Sequence, residues 1–217
     1  MFHFDPFVQT VKQIIESGRI GTLLHYYSRS ATYTTLKNSI THHQAYTPCS
    51  ILMDCIHDTD LLRWLTGRVP DYVFARGIQA GDMARNSFPN IVDAMYRYDG
   101  KDFSAHAHYN YVQSPQVREL EIVGGKGYIQ GDFMEPAITV GTMDGNVKKI
   151  VPTRDFDNVY RAEWDSFICA IRKGTPPENP AESPILPTLI MQAQIDSAAP
   201  GQEIAVRDLA QRCSFQY

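Results

Sequence analysis

The sequence contains no strand–GxGxxG–helix unit, and so lacks the glycine turn that cradles a dinucleotide pyrophosphate. CxxC pairs are missing too. The four cysteines, at 49, 55, 169 and 213, read as free thiols in a reducing compartment rather than as a disulfide framework or a zinc knuckle. No apolar run approaches the roughly 20 residues that span a bilayer. The opening MFHFDP has no basic segment followed by an apolar one, so neither a membrane span nor a secretory signal is expected. Neither sign of charge dominates: 20 Lys and Arg stand against 24 Asp and Glu, for a net charge of −4. Such a balance offers no electrostatic attraction to nucleic acid or to anionic membranes. Repeats and low-complexity tracts are absent. A cytoplasmic protein is the expectation.

What is present supports a sizeable core: 43% of 217 residues are hydrophobic. Asp5 and Pro6 suit the N-cap and first turn of a helix with Phe7, Val11, Ile14 and Ile15 on one stripe, closed near Gly18. A strand is expected over 22–30, then a segment without periodicity over 31–50. Loops of that length are uncommon in compact domains and tend to be functional. One continuous helix is expected over 51–65, closed by Gly67. Strands rich in aromatic and β-branched residues follow at 72–78, 91–98, 103–111 and 118–123, with Asp99-Gly100 as a hairpin turn. Shorter strands are expected at 128–132, 137–142 and 147–151. A helix over 160–173 carries Tyr160, Trp164, Phe167, Ile168 and Ile171 on one face. The last helix starts near Ser183-Pro184 and ends before Pro200-Gly201.

Strands in the middle and helices at the ends indicate an α+β fold: an open, largely antiparallel mixed β-sheet with helices packed on one face. The other face carries alternating aromatics, so an oligomer interface is expected there. His106 and His108 alternate onto one strand face and read as interface or solvent residues. The glycine cluster Gly124-Gly125-Lys126-Gly127 lies between strand-like segments and reads as a turn.

The chemistry concentrates in Met53-Asp54-Cys55-Ile56-His57-Asp58-Thr59-Asp60. On a continuous helix Asp54 and His57 share a face. A carboxylate beside an imidazole fixes its tautomer, as a general acid–base histidine requires. The same spacing fits a structural salt-bridge cluster, and the residue types also fit metal ligation. In the long loop, His42, His43 and Tyr46 are candidate contacts to substrate hydroxyls; an ordinary polar surface loop is the alternative.

These segments, in this order, resemble the C-terminal domain of the Gfo/Idh/MocA oxidoreductases, the glucose–fructose oxidoreductase and inositol dehydrogenase group. The 51–65 helix is similar to the family's Asp, His, acidic, x, Asp, apolar, Trp-Leu-x-Gly signature. Phe4-Asp5-Pro6 with Ser17 to Gly21 resembles its helix-into-strand entry, RELEIVGGKGY at 118–128 its hairpin, and 179–206 its closing helix and last strand. The likeness covers about residues 3–206. It implies a dihydrodipicolinate-reductase-like sheet, with residues 1–217 as a single substrate-binding and dimerisation domain. It also implies a nucleotide-binding Rossmann domain preceding Met1, absent here, that holds most of the NAD or NADP. His57 then matches the family's catalytic-site histidine and Asp54 its carboxylate, three residues before the histidine where many members have four. Cys49-Ser50 replace a glycine pair, and His3 stands where an arginine is usual. The substrate implied is a sugar, polyol or related hydroxy compound, and the assembly a homodimer or homotetramer. The rival reading is a non-catalytic, dimerising or ligand-binding remnant.

Overall fold

The computed structural model describes residues 1–33, 47–81, 88–180 and 182–215. A 3-10 turn, Phe2–Phe4, leads into α1, Pro6–Glu16. The Asp5 carboxylate accepts the Phe7 amide at 2.9 Å, a cap worth about 1 kcal/mol. Its other oxygen faces Arg154 Nη2 across 2.6 Å, so the start of α1 is tied to the stretch beyond the last hairpin. Strand β1 is Leu23–Ala31, followed by α2, Ser50–Asp54, and α3, Ile56–Thr66. Strands β2 (Tyr72–Ile78), β3 (Ile91–Arg97), β4 (Ser104–Asn110), β5 (Val117–Gly124), β6 (Gly127–Asp132), β7 (Ala137–Thr142) and β8 (Val147–Ile150) come next. The chain closes with α4 (Phe156–Lys173), α5 (Ile185–Ala198), the two-residue β9 (Ile204–Ala205) and α6 (Val206–Arg212).

Among the described residues nine strands form one sheet, ordered β8-β7-β6-β5-β1-β4-β3-β2-β9. Every pairing is antiparallel except β1 with β4, which makes the sheet mixed. This is the expected α+β architecture. Side chains alternate across the pleat. One face carries Tyr26, Ala94, Tyr96, Ala107, Tyr109, Leu120 and Ile122, all buried under α1, α3 and α5. Alanines on the central strands leave room for α5, whose Ser197 hydroxyl accepts the Ala75 amide at 2.7 Å. Burying each leucine of α3 (Leu61, Leu62, Leu65) contributes about 1.5–3 kcal/mol. At the β5–β6 hairpin a Cβ on Gly124 would lie 2.2 Å from the Ile20 carbonyl oxygen, so only glycine allows the strand to pass the chain there.

Two differences from the sequence reading matter. The segment expected as one helix is broken at Cys55, whose φ of −91° and ψ of 12° end α2 before α3 begins. Helix α4 forms, one turn longer at its start than expected. Its apolar stripe (Phe156, Tyr160, Trp164, Phe167, Ile168, Ile171) is 39–64% exposed rather than packed. Among the described residues, no helix is long and apolar enough to cross a membrane.

Candidate active site

Helix α2 starts from Cys49, held at φ 59°, a left-handed conformation that favours glycine. The glycine pair of the family pattern therefore falls where the backbone has use for one. Asp54 ends α2. Its carboxylate accepts the hydroxyl of Tyr111, just beyond the end of β4. Burial, reinforced by that carboxylate, pushes the Tyr111 phenol far up, so it remains a donor.

Asp58, four residues on, turns the other way. It is 4% exposed; one oxygen accepts the Ser30 hydroxyl at 2.9 Å and the other pairs with Arg118 Nη2 at 3.0 Å. The break at Cys55 has its physical reason here. A continuous helix would put both carboxylates on one face, whereas their partners stand at different places in the sheet. Interrupting it sends Asp54 to Tyr111 and Asp58 to β1 and β5. This also corrects the expectation that Asp54 and His57 share the face of one continuous helix.

His57 occupies the first turn of α3 with a solvent-accessible side, its ring in a T-shaped contact with Phe2 at 5.2 Å between centroids. Partial burial pulls its pKa down, and the positive charges of Arg118 and the Met1 amine pull the same way against Asp58 and Asp60. The imidazole is therefore biased toward its neutral, proton-accepting form. It borders a cleft of about 380 Å³ between α3, the 3-10 turn, α4 and the 179–187 segment, with Asp60, Glu163, Asn179 and Ser183 among the polar groups on its wall.

Beneath that wall lies a second histidine. His3 is 4% exposed and stacks on Trp64 at 4.4 Å, with Nε2 2.7 Å from Asp60 and Nδ1 2.7 Å from the Asn179 side-chain oxygen. Arg63 reaches both Asp60, at 3.7 Å, and the Ser183 hydroxyl, at 3.3 Å. Sequence reasoning missed Arg118, Ser30 and Phe2 as parts of this site and saw His3 only as a replacement for an arginine. His42, His43 and Tyr46 lie outside the described residues. Among the described residues, no three His, Cys, Asp or Glu side chains converge as a metal-ligand group.

The glycines that could cradle a nucleotide phosphate do not fit that task. Gly124 and Gly127 belong to the β5–β6 hairpin, and a Cβ on either would meet a backbone oxygen at 2.2 Å. Their space is taken by neighbouring chain, not left for a ligand.

Residues 8–130 match the family model of the GFO/IDH/MocA C-terminal domain. The chain belongs to this family. It is 26% identical over 219 residues to the inositol 2-dehydrogenase of Rhizobium meliloti (strain 1021), covering 94% of this chain and 62% of that protein. Among solved structures it superposes on an oxidoreductase from Agrobacterium radiobacter in complex with NAD+, L-tartaric acid and magnesium. That match has a TM-score of 0.81 and 16% identity over 96% of this chain and 64% of the other. A scyllo-inositol dehydrogenase from Lactobacillus casei with bound NAD(H) and scyllo-inositol matches with a TM-score of 0.73 and 21% identity, over 94% and 63% of the two chains. These structural likenesses establish the fold of the Gfo/Idh/MocA domain. The chain spans less than two thirds of each of these relatives.

Proposed function

We propose that this Gfo/Idh/MocA domain is the substrate-binding part of an NAD- or NADP-dependent oxidoreductase acting on a sugar, polyol or related hydroxy compound. The observation that carries the reading is His57, held with one side accessible at a cleft and biased toward the proton-accepting form. A curated relative is an inositol dehydrogenase, which supports the substrate class. A nicotinamide cofactor would accept the hydride as such a hydroxyl is oxidised and give it back in the reverse direction. The described residues offer no phosphate cradle, so we assign the cofactor mainly to the part of the longer relatives that this chain does not span.

In this reading His57 takes the hydroxyl proton as the alcohol carbon becomes a carbonyl, and returns it in the reverse direction. Asp54, fixed by Tyr111, supplies a carboxylate acceptor three residues away. His42, His43 and Tyr46, on the segment leading into α2, contact substrate hydroxyls. The open face of the sheet carries the self-association, to a dimer or tetramer: Met95 and Ile78 are 61% and 46% exposed there, beside Tyr27 and His106.

The test joins the chain to a nucleotide-binding domain of the family and follows NADH formation with inositols and sugars. Turnover is expected, and His57→Asn should lower it by about two to four orders of magnitude. A folded, joined protein that turns over no hydroxy compound would favour the non-catalytic, ligand-binding reading. Tight NADH binding by the 217-residue chain alone would overturn the assignment of the cofactor.

A further inference from the structure

His57 belongs to a closed ring of contacts. Its imidazole meets Phe2 at 5.2 Å. The Arg118 guanidinium lies 4.4 Å from the Phe2 centroid and 5.4 Å from that of Phe133. Arg118 then pairs with Asp58, the residue that follows His57 in the chain. The ring thus runs through α3, the 3-10 turn and β5.

Arg118 takes the same pleat parity as Leu120 and Ile122, so an arginine points into the helix-covered side of the sheet. Its side chain is 20% exposed, and its Nε is buried without a partner. Stability does not call for such a residue. A buried ion pair replaced on both sides by packed apolar groups is often no less stable. What only an arginine supplies is a fixed positive charge behind His57, with a planar head that packs flat on an aromatic ring.

We propose that Arg118 is a positioning residue for His57: through Phe2 and Asp58 it fixes the imidazole at the cleft as a proton acceptor. The proposal rests on the reading of His57 as the proton-transfer group. The charges acting on His57 are Arg118 from β5, Asp58 and Asp60 from α3 and the Met1 amine just before the 3-10 turn, with Glu163 of α4 on the wall of the same cleft. Partial burial and the two cations act in one direction, and the neighbouring carboxylates in the other.

The test is an NMR titration of the His57 ring in the full chain, without cofactor or substrate. Arg118→Met removes the cation and leaves Asp58, so His57 should titrate at higher pH. Asp58→Asn removes the carboxylate and leaves Arg118, so His57 should titrate at lower pH. Opposite shifts from two changes to one ion pair identify positioning by charge. A purely structural pair would loosen the packing in both variants and move His57 in the same direction, toward an ordinary histidine. That result, or no movement, overturns the proposal. Asp58→Asn is isosteric and decides alone if Arg118→Met does not fold, and Arg118→Lys should recover most of the methionine variant's shift. This titration can fail while His57 remains essential to turnover of the joined enzyme, so the two readings fail separately.

Discussion

The two faces of the sheet handle polar groups in opposite ways. On the helix-covered face the polar groups are paired in the interior: Asp58 with Arg118 and Ser30, and Gln194 with Thr59 at 3.1 Å and with Tyr96 at 2.9 Å. On the open face the pairs run between neighbouring strands and stay wet. Arg29 meets Glu119 at 3.3 Å, and His108 meets Asp93 at 2.7 Å with the aspartate 69% exposed. A buried group that loses its partner bears the full desolvation penalty, whereas an exposed one turns to water. The covered face is thus specified residue by residue, and the open face is free to serve a second surface.

Breaking a pair on the covered face should have the largest effect. Asp58→Ala strands the Arg118 charge and should cost about 3–5 kcal/mol, measured by chemical denaturation. A loss under 1 kcal/mol would mean that water reaches Arg118 freely and that the face is not sealed. Gln194→Ala comes next, at about 1–3 kcal/mol, because it takes a donor from the buried Thr59 and Tyr96 hydroxyls, of which Tyr96 keeps Tyr109, without stranding a charge. On the open face, Met95→Lys should leave stability within about 0.5 kcal/mol. It should nevertheless shift the sedimentation mass from a multiple of 24.5 kDa toward 24.5 kDa. Unchanged association would move the interface elsewhere.

The contrast was partly legible beforehand. Strand parity alone separates Leu120 and Ile122 from Glu119 and Glu121, and the same parity puts Arg118 inside. An inward arginine demands a buried acid, so the Asp58 partnership could have been sought in the sequence. The break at Cys55 could not, because no glycine or proline marks it. It arises from where Tyr111 and Arg118 stand in the assembled sheet. The stripe on α4 was visible as a pattern, but periodicity tells which residues share a face and not what covers it. His3 was invisible as a cluster member because Asn179, Asp60 and Trp64 reach it from distant parts of the chain.

His57 stands where the two regimes meet, half against the covered side and half in water, and its effect on stability should be the smallest. An ordinary histidine titrates near 6.5; in the folded chain His57 is pulled below that, first by partial burial and then by Arg118. Between the two values the unfolded chain binds a proton that the folded chain does not. Stability therefore rises with pH across that window and falls as pH drops through 6.5 toward the folded value. His106 is lowered as well, by burial and by His25, and adds a slope of the same sign. The total slope cannot identify His57, but a difference can. His57→Asn should change stability at neutral pH by no more than about 1 kcal/mol, as surface changes usually do. Below pH 6.5 it should lose stability less steeply than the unaltered chain, leaving the His106 part in place. Parallel curves from pH 6.5 downward would show that His57 titrates like a free histidine. Its neutral form would then owe nothing to the fold, and the proton-acceptor assignment would lose its physical basis.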